Sequence, residues 1–196
     1  MNGALPGTGP TGYLTHGLEL PELGEVTVFV REGPEQSCAF VLGELAEGCL
    51  VRVHSRCVYG DVFGAADCDC GSQLAVSLAR IAHEGVGAVI YLDQEGRGCG
   101  LAAKAMAHRL AEQEGVDTFT AFARMGLPSD PRDYSWVSRF LLDRGLTAIR
   151  LLSNNPRKID ALKDAGIAVE RIPLVMSAHP RSAAYLAAKR GDGHLL

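Results

Sequence analysis

Three cysteines lie close together in the chain and have the chemistry of a metal site. Cys57, Cys68 and Cys70, three of the six cysteines, form a Cys-x10-Cys-x-Cys pattern within residues 52–73. Thiolates are soft ligands that suit zinc, and three protein ligands leave one position open, as in catalytic zinc sites. The paired Cys-x2-Cys spacing of a structural zinc finger is absent. The alternative is reduced cysteines that pack as small apolar residues. His54 could replace one cysteine, but we expect it to lie behind the ligands or to face a substrate.

A glycine-rich turn, QEGRGCG at residues 94–100, separates a predicted strand from a predicted helix. Backbone N–H groups at such a turn, together with a helix N-terminus, can bind phosphate. The sequence is neither a Walker loop nor a dinucleotide fingerprint, so an ordinary strand-to-helix turn is the alternative. Glu95 and Arg97 favour a ligand, because a guanidinium suits phosphate or a purine edge and a carboxylate suits the paired N–H donors of guanine.

Two more segments combine charge with turn chemistry. The sequence SNNPRK at residues 153–158 opens a predicted helix with the hydroxyl of Ser153 and the ammonium of Lys158, which outlines a second anion site. Asp130 and Arg132 lie beside prolines in a polar connection predicted over residues 117–135, as functional loop residues on a rigid scaffold would. The alternative is an exposed ion pair that contributes little to stability.

These residues need a scaffold, and the hydrophobic pattern predicts one α/β domain with a mixed sheet and flanking helices. Alternating apolar residues predict strands from residue 25 and at residues 37–42 and 49–54, which we expect to form an antiparallel sheet that ends at the cysteines. A helix should follow Cys70, with Ser72 as its cap, a glycine at its end and its positive N-terminus near the thiolates.

The second half of the chain predicts helices and strands in alternation. We expect a strand at residues 88–92, helices at 101–114 and 132–144, and then a β-α-β unit with strands at 148–152 and 167–172 around a helix at 157–165. The Gly- and Pro-rich beginning predicts a flexible N-terminal segment, residues 1–20, before a domain over residues 21–190. After a short helix, residues 191–196 are predicted to be a flexible tail.

Composition excludes several classes of protein. The 196 residues carry a net charge of −4, which argues against a nucleic-acid surface, and no apolar run is long enough to span a membrane. The irregular cysteine spacing is unlike a secreted disulfide scaffold. We therefore expect a cytoplasmic protein.

Six motifs together resemble the GTP cyclohydrolase II family: RVHSxC, GD, CDCGxQ, QEGRGxGL, DxRDY and LLSNNPRK, in this order and spacing from about residue 25 onwards. The resemblance implies a homodimeric enzyme that opens the imidazole ring of GTP, releases formate and pyrophosphate, and begins riboflavin synthesis. It implies zinc on Cys57, Cys68 and Cys70, magnesium at the phosphates, a proton-accepting Asp130, and attack by Arg132 at the α-phosphate. The nucleotide contacts that it implies are Arg52, Val53, His54, Ser55, Arg56, Gln73, Glu95, Gly96, Arg97, Thr118, Ser153 and Lys158.

Four residues depart from the family pattern. Arg56 stands where Glu is usual, Asp67 and Asp93 stand where Arg is usual, and His108 stands where Tyr is usual. Arg56 and Asp67 could be a reciprocal charge swap that keeps one ion pair. His108 would take the catalytic place of a phenol near the zinc, with a different reach and pKa.

The departures leave three functions to distinguish. The first is complete GTP cyclohydrolase II chemistry. The second is a hydrolase that stops at the ring-opened formamidopyrimidine nucleotide, or acts on another purine nucleotide, in specialised metabolism. The third is a non-catalytic nucleotide-binding protein in which zinc holds the fold, although the intact cysteines, Asp130 and Arg132 argue against it.

Overall fold

The structure, a computed structural model, describes residues 12–128, 130–176 and 180–195. Its centre is one seven-stranded sheet with the strand order β1-β2-β3-β5-β4-β6-β7. The strands are β1 (Tyr13–Leu20), β2 (Gly24–Arg31), β3 (Cys38–Leu42), β4 (Leu50–Ser55), β5 (Gly87–Leu92), β6 (Ala148–Leu152) and β7 (Ala168–Ile172). The predicted α/β class, with a mixed sheet and flanking helices, is therefore confirmed.

Seven α-helices connect and cover the strands of the described ranges. They are α1 (Val58–Asp61), α2 (Cys70–Glu84), α3 (Gly100–Glu114), α4 (Thr118–Arg124), α5 (Ser135–Leu142), α6 (Pro156–Asp164) and α7 (Ala183–Gly191). Short 3-10 turns at Glu95–Gly98 and Pro180–Ser182 precede α3 and α7. No helix in the described part of the chain is long and apolar enough to cross a membrane.

The sheet has an antiparallel half and a parallel half. Strands β1, β2, β3 and β5 pair antiparallel in that order. Strand β4 pairs parallel with both β5 and β6, and β6 pairs parallel with β7. The expected antiparallel pairing of β3 with β4 is wrong, because β5 returns through α2 and lies between them. The carboxyl ends of β4, β5, β6 and β7 consequently meet at one edge of the sheet.

Each face of the sheet has its own apolar core. Helix α2 covers one face, where Ile81 packs against Leu50 and Val89. Helices α5 and α6 cover the other, with Val137, Phe140 and Leu141 of α5 fully buried as their spacing predicts. Alternation along β4 therefore places Val51 and Val53 toward α5 and α6, and Arg52 and His54 on the α2 face.

Several local predictions need correction. Residues 13–20 form strand β1 rather than a flexible segment, because each pairs with β2; residues 1–11 lie outside the described residues. Ser72 does not cap α2, since the helix already begins at Cys70 with Asp69 as its N-cap residue. Part of the connection predicted over residues 117–135 is helix α4, whose N-cap Asp117 accepts hydrogen bonds from two backbone N–H groups.

Candidate active site

The candidate site lies at the edge where the parallel strands end. Residues 56–57 follow β4, the glycine-rich turn follows β5, and the Ser-Asn-Asn-Pro turn follows β6. Two adjoining cavities form there and share Ser55, Cys70, Arg132 and Tyr185 in their walls. The metal-side cavity is the one that also contains Cys57 and Arg97, and the cationic cavity is the one that also contains Arg52 and Lys158. Ligands of open α/β sheets bind at this position because loops from different strands converge there. The convergence brings most residues singled out in the sequence into one cleft.

The three cysteines form a cluster that fits a metal ion. Cys57 precedes α1, Cys68 and Cys70 lie at the start of α2, and their Sγ atoms are all within 4.8 Å of one another. The Sγ atoms of Cys57 and Cys68 are 3.8 Å apart. Two thiolates bound tetrahedrally at a Zn–S length of about 2.3 Å would lie about 3.8 Å apart. The donor set and this separation match zinc.

Close backbone packing of α1 against α2 holds the cysteine cluster together. A Cβ atom at Gly71 would lie 2.3 Å from the carbonyl oxygen of Gly60, and one at Gly60 would lie 2.9 Å from Sγ of Cys68. Side chains at either position would push the helices apart. The glycines therefore allow Cys57 to approach the other two cysteines.

A lysine from α3 adds positive charge to the cluster. Nζ of Lys104 lies 3.2 Å from Sγ of Cys57 and 2.7 Å from the carboxylate of Glu95. Hydrogen bonds from Cys68 and Cys70, with the charge of Lys104, hold the pKa of Cys57 well below its usual value. The pKa values of Cys68 and Cys70 are raised because their thiols donate to Cys57. One thiolate thus forms readily in the protein, and the N-terminus of α2 adds favourable dipole charge.

His54 lies behind the cysteines rather than among them. Its Nε2 is 3.0 Å from Oδ1 of Asp61, whose carboxylate also accepts the backbone N–H of Cys57 at 2.9 Å and the hydroxyl of Tyr91 at 2.8 Å. The His54 and Tyr91 rings are stacked at 5.5 Å. Burial lowers the pKa of His54, which favours the neutral ring. This network orients Cys57 through its backbone.

The second cavity is rich in cations. Arg52 donates to the carbonyl oxygen of Leu152 and the amide oxygen of Gln73, both at 2.9 Å. Lys158 donates to the carbonyl oxygen of Val53 at 2.8 Å, and Ser153 lines the same cavity. Burial, and then the charges of Arg52 and Arg132, lower the pKa of Lys158 well below its usual value. Among the described residues neither Arg52 nor Lys158 forms an ion pair with a carboxylate, so the cavity suits an anion.

Asp130 and Arg132 form a buried ion pair and not a surface pair. Nε and Nη2 of Arg132 each lie 2.6 Å from one oxygen of Asp130, and the two side chains are 11% and 4% exposed. Burial raises the pKa of Asp130, but the hydrogen bonds and charge of Arg132 outweigh it and lower the pKa overall. Arg132 lines both cavities, whereas Asp130 lines neither and instead fixes the orientation of the guanidinium.

The glycine-rich turn places Arg97 in a rare backbone conformation. Its φ of 58° makes it the one non-glycine residue with positive φ in the described ranges. Its guanidinium stacks 3.3 Å above the ring of Phe119 and donates to Thr118 at 3.2 Å, while Nη1 is buried without a hydrogen-bond partner among the described residues. Strain of this kind persists at binding sites, and Arg97 lines the metal-side cavity.

Val53 does not have the surroundings that contact with a nucleotide would predict, whereas Glu95 lines the metal-side cavity but already has partners for both carboxylate oxygens. The two oxygens of Glu95 accept from the backbone N–H of Val58 at 2.7 Å and from Lys104, so this carboxylate joins α1 to α3. Val53 is 1% exposed and lines neither cavity, because strand alternation turns its side chain into the core. Only its carbonyl oxygen, through Lys158, takes part in the site.

The charged residues that depart from the family pattern form other ion pairs than the predicted one between Arg56 and Asp67. Arg56 pairs with Asp93 at 2.7 Å, and Asp67 pairs with Arg181 at 3.1 Å. The predicted Arg56–Asp67 ion pair is therefore wrong. Arg56 pairs with Asp93 instead, because β4 and β5 end side by side and the two residues directly follow these strands.

His108 does lie in the metal-side cavity, together with Cys57 and Lys104. Its ring packs edge-on against Tyr59 at 5.9 Å. Burial, and then the charge of Lys104, lower its pKa, which favours a neutral imidazole. A neutral ring in this cavity can accept or donate a proton near a bound substrate.

Sequence reasoning missed several residues of the cleft, among them Lys104, Tyr185, Lys189 and His194. Lys104 lies one helical turn after the glycine-rich turn, so the helical period could have identified it. The other three belong to the end of the chain, which was predicted to be a short helix and a flexible tail. Their spacing carries no motif that would have placed them in the cleft.

The fold and the site define an α/β protein in which a three-thiolate cluster fit for a metal ion adjoins a buried cationic cavity. The model of the GTP cyclohydrolase II family matches residues 18–173, and the chain belongs to this family. The resemblance inferred from the motifs is thereby confirmed.

Known relatives agree with this assignment. The chain is 47% identical over 166 residues to the riboflavin biosynthesis protein RibBA of Bacillus mycoides (strain KBAB4). The matched segment covers 83% of this chain and 42% of that protein. It is 45% identical over 166 residues to GTP cyclohydrolase-2 of Hahella chejuensis (strain KCTC 2396). Here the matched segment covers 83% of this chain and 80% of that protein. The chain thus spans about two fifths of the length of the RibBA proteins that it matches.

Proposed function

We propose that this chain is a zinc-dependent hydrolase that opens the imidazole ring of GTP. The products are formate, pyrophosphate and 2,5-diamino-6-(phosphoribosylamino)pyrimidinone, in riboflavin biosynthesis. The observation that carries the proposal is the junction of two cavities, in which Cys70 and Arg132 belong to both walls. A nucleotide spanning this junction would place its base at the thiolates and its phosphates among Arg52, Arg132 and Lys158.

The metal-side cavity supports the ring-opening part of the proposal. Cys57, Cys68 and Cys70 would hold zinc, which when bound supplies a Lewis acid and a water of lowered pKa for hydrolysis of carbon–nitrogen bonds. Lys104 stabilises the Cys57 thiolate, and the Asp61–His54 pair orients its backbone. His108 is the group placed to move a proton there, because its ring lines the cavity and is held neutral.

The cationic cavity supports the phosphate part. Arg52 and Lys158 are buried cations without carboxylate partners among the described residues, and a triphosphate with magnesium would balance them. Asp130 holds the Arg132 guanidinium at the junction of the cavities, where the α-phosphate of the nucleotide would lie. Within this proposal Arg132 attacks at the α-phosphate as the bond to the β-phosphate breaks and pyrophosphate leaves, and Asp130 accepts the proton that the guanidinium gives up.

The presence of His108 supports an alternative end product of the reaction. His108, rather than a phenol, lies beside Cys57 in the metal-side cavity, and an imidazole has a shorter reach. The second candidate function is therefore a reaction that stops at the formamidopyrimidine nucleotide.

We also propose a cytoplasmic homodimer, supported by six free cysteines and by the exposed apolar side chains of Phe63 and Met106.

Mass spectrometry of the products tests the proposal. Zinc-loaded protein is incubated with GTP and magnesium, and the pyrimidine, formate and pyrophosphate are quantified together. We expect all three in equal amounts, and a product that retains the formyl group would support the second candidate. Cys68→Ser should abolish turnover, whereas Cys38→Ala, in strand β3 away from the cleft, should retain it. Absence of turnover in the zinc-loaded wild type would refute both candidates and leave another purine nucleotide as substrate or a binding protein.

A further inference from the structure

The end of the described chain lies across the cleft. Helix α7 leads to a turn in which the backbone N–H of Leu195 donates to the carbonyl oxygen of Asn154 at 2.9 Å. Nζ of Lys189 donates to Oδ1 of Asp69, at the start of α2, at 2.5 Å. The segment 183–195 is therefore attached both beside the cysteine cluster and at the Ser-Asn-Asn-Pro turn. Lys189 and Asn154, one residue from each attachment, line the cationic cavity.

Three side chains of this segment enter the cleft. Tyr185, Lys189 and His194 line the same cavity as Arg52 and Lys158. Tyr185 also lines the metal-side cavity, beside Cys70 and Arg132, so its ring lies where the two cavities join. The side chains of Lys189 and His194 are 12% and 13% exposed, so both are largely removed from solvent.

Two basic side chains of the cavity have no carboxylate partner of their own in the part of the chain that the structure describes. Arg132 pairs with Asp130 and Lys189 pairs with Asp69, but Arg52 and Lys158 have no carboxylate partner among the described residues. Buried charges without partners are costly unless an anion binds.

His194 supplies a second, independent observation. Its Nδ1 is buried without a hydrogen-bond partner in the described part of the chain. Burial, and then the charges of Lys189, Arg132 and Lys158, lower its pKa to about 4. The carboxylate of Asp192 lies 4.0 Å from Nδ1, beyond hydrogen-bond distance. A bound anion would give Nδ1–H an acceptor and would offset the cations.

We propose that the segment 183–195 is part of the nucleotide site, with Lys189 and His194 binding the phosphate chain together with Lys158. The two residues extend the cationic cavity from a part of the chain that carries none of the sequence motifs. Tyr185 separates the phosphate compartment from the thiolate compartment and so positions the base relative to the phosphates. This inference rests on the proposed function for the identity of the ligand, but its chemistry needs only an oligophosphate.

Calorimetric titration of the zinc-loaded protein with inorganic pyrophosphate, GTP and guanosine tests the inference. Lys189→Met should weaken the binding of pyrophosphate and of GTP at least 10-fold, which corresponds to about 1.4 kcal/mol, and should leave guanosine binding unchanged. Arg190→Met is the matched control, because Arg190 lies next to Lys189 on α7 but is exposed, and it should bind all three ligands like the wild type. Lys189→Arg should restore affinity to within about threefold, since it keeps the charge.

A second variant guards against a purely structural effect of Lys189 through Asp69. His194→Ala removes a ring nitrogen that has no hydrogen-bond partner in the described structure, and it should weaken pyrophosphate binding about 3- to 10-fold at unchanged unfolding midpoint. Equal affinities of Lys189→Met, His194→Ala and the wild type for pyrophosphate would overturn the inference. Equal losses for guanosine and for GTP would also overturn it, because they would indicate a structural role. Wild-type protein that binds pyrophosphate but does not turn over GTP would refute the proposed function alone.

Discussion

Replacement of Gly71 by alanine tests the packing that brings the cysteines together. The added Cβ would lie 2.3 Å from the carbonyl oxygen of Gly60, about 1 Å inside the 3.4 Å at which ordinary contact begins. Both groups belong to helix backbones, so neither can rotate away, and α1 must move relative to α2. Because Cys57 precedes α1 and Cys70 begins α2, this movement separates their sulfur atoms by far more than the roughly 0.2 Å that metal–ligand distances tolerate.

Two opposing effects set the magnitude for stability. Alanine in place of glycine favours a helix by about 1 kcal/mol. Overpacking in a close contact costs about 1–3 kcal/mol. We expect Gly71→Ala to lower the free energy of unfolding by about 1–2 kcal/mol, because the contact is with rigid backbone, and to lower zinc affinity at least 10-fold, as changes to groups that orient ligands do.

Competition for zinc with a chromophoric chelator and urea unfolding measure the two effects. Gly17→Ala is the control, because a Cβ there would meet nothing within 4 Å and Gly17 lies outside the positive-φ region. It should leave zinc affinity unchanged. If Gly71→Ala bound zinc like the wild type and were equally stable, α1 and α2 would be free to adjust, and the argument from close packing would be refuted.

Three other perturbations address the charged groups. Asp130→Asn leaves the buried Arg132 without its carboxylate and should lower the free energy of unfolding in urea by about 3 kcal/mol. Adding Arg132→Gln should recover at least about 1 kcal/mol of that loss, and no recovery would contradict a coupled pair. A double-mutant cycle on Arg56 and Asp93, 42% and 31% exposed, should give a coupling free energy below about 1 kcal/mol, which a larger value would contradict. Burial, and then the nearby cations, lower the pKa of His194 to about 4 from an ordinary 6.5. The unfolded chain therefore takes up the proton first, and the stability of the folded protein falls as the pH drops from 6.5 to 4. With allowance for partial solvent exposure, the wild type should lose about 2 kcal/mol more than His194→Gln across this window in urea unfolding of the metal-free protein, and parallel curves would contradict the assignment.

Local patterns in the sequence identified most of the elements and the chemistry of the site. Period-2 alternation located β2 and β3 within one residue, and the strand–helix–strand pattern located β6, α6 and β7. These signals are local, since side-chain direction repeats every 2 residues in a strand and every 3.6 in a helix. The short spacing of Cys68 and Cys70 likewise marked a thiolate site without any knowledge of the fold.

Strand order and side-chain partners depended on tertiary structure. Nothing near residues 87–92 states that β5 lies between β3 and β4, yet this insertion makes half of the sheet parallel and brings the turns after β4, β5 and β6 to one edge. The partner of Arg56 followed from the same insertion, because Asp93 comes directly after β5. Strand β1 was missed because the glycines and prolines before it suggested disorder, whereas pairing with β2 stabilises it.

The end of the chain shows the difference most clearly. By composition residues 191–196 are a polar tail, and no local pattern relates His194 to Lys158, 36 positions earlier. Burial and charge balance in the cleft decide where such residues lie, and these are properties of groups that meet only after folding. The sequence by itself determined which residues could bind a metal and a nucleotide, and the tertiary structure decided which of them share a cavity.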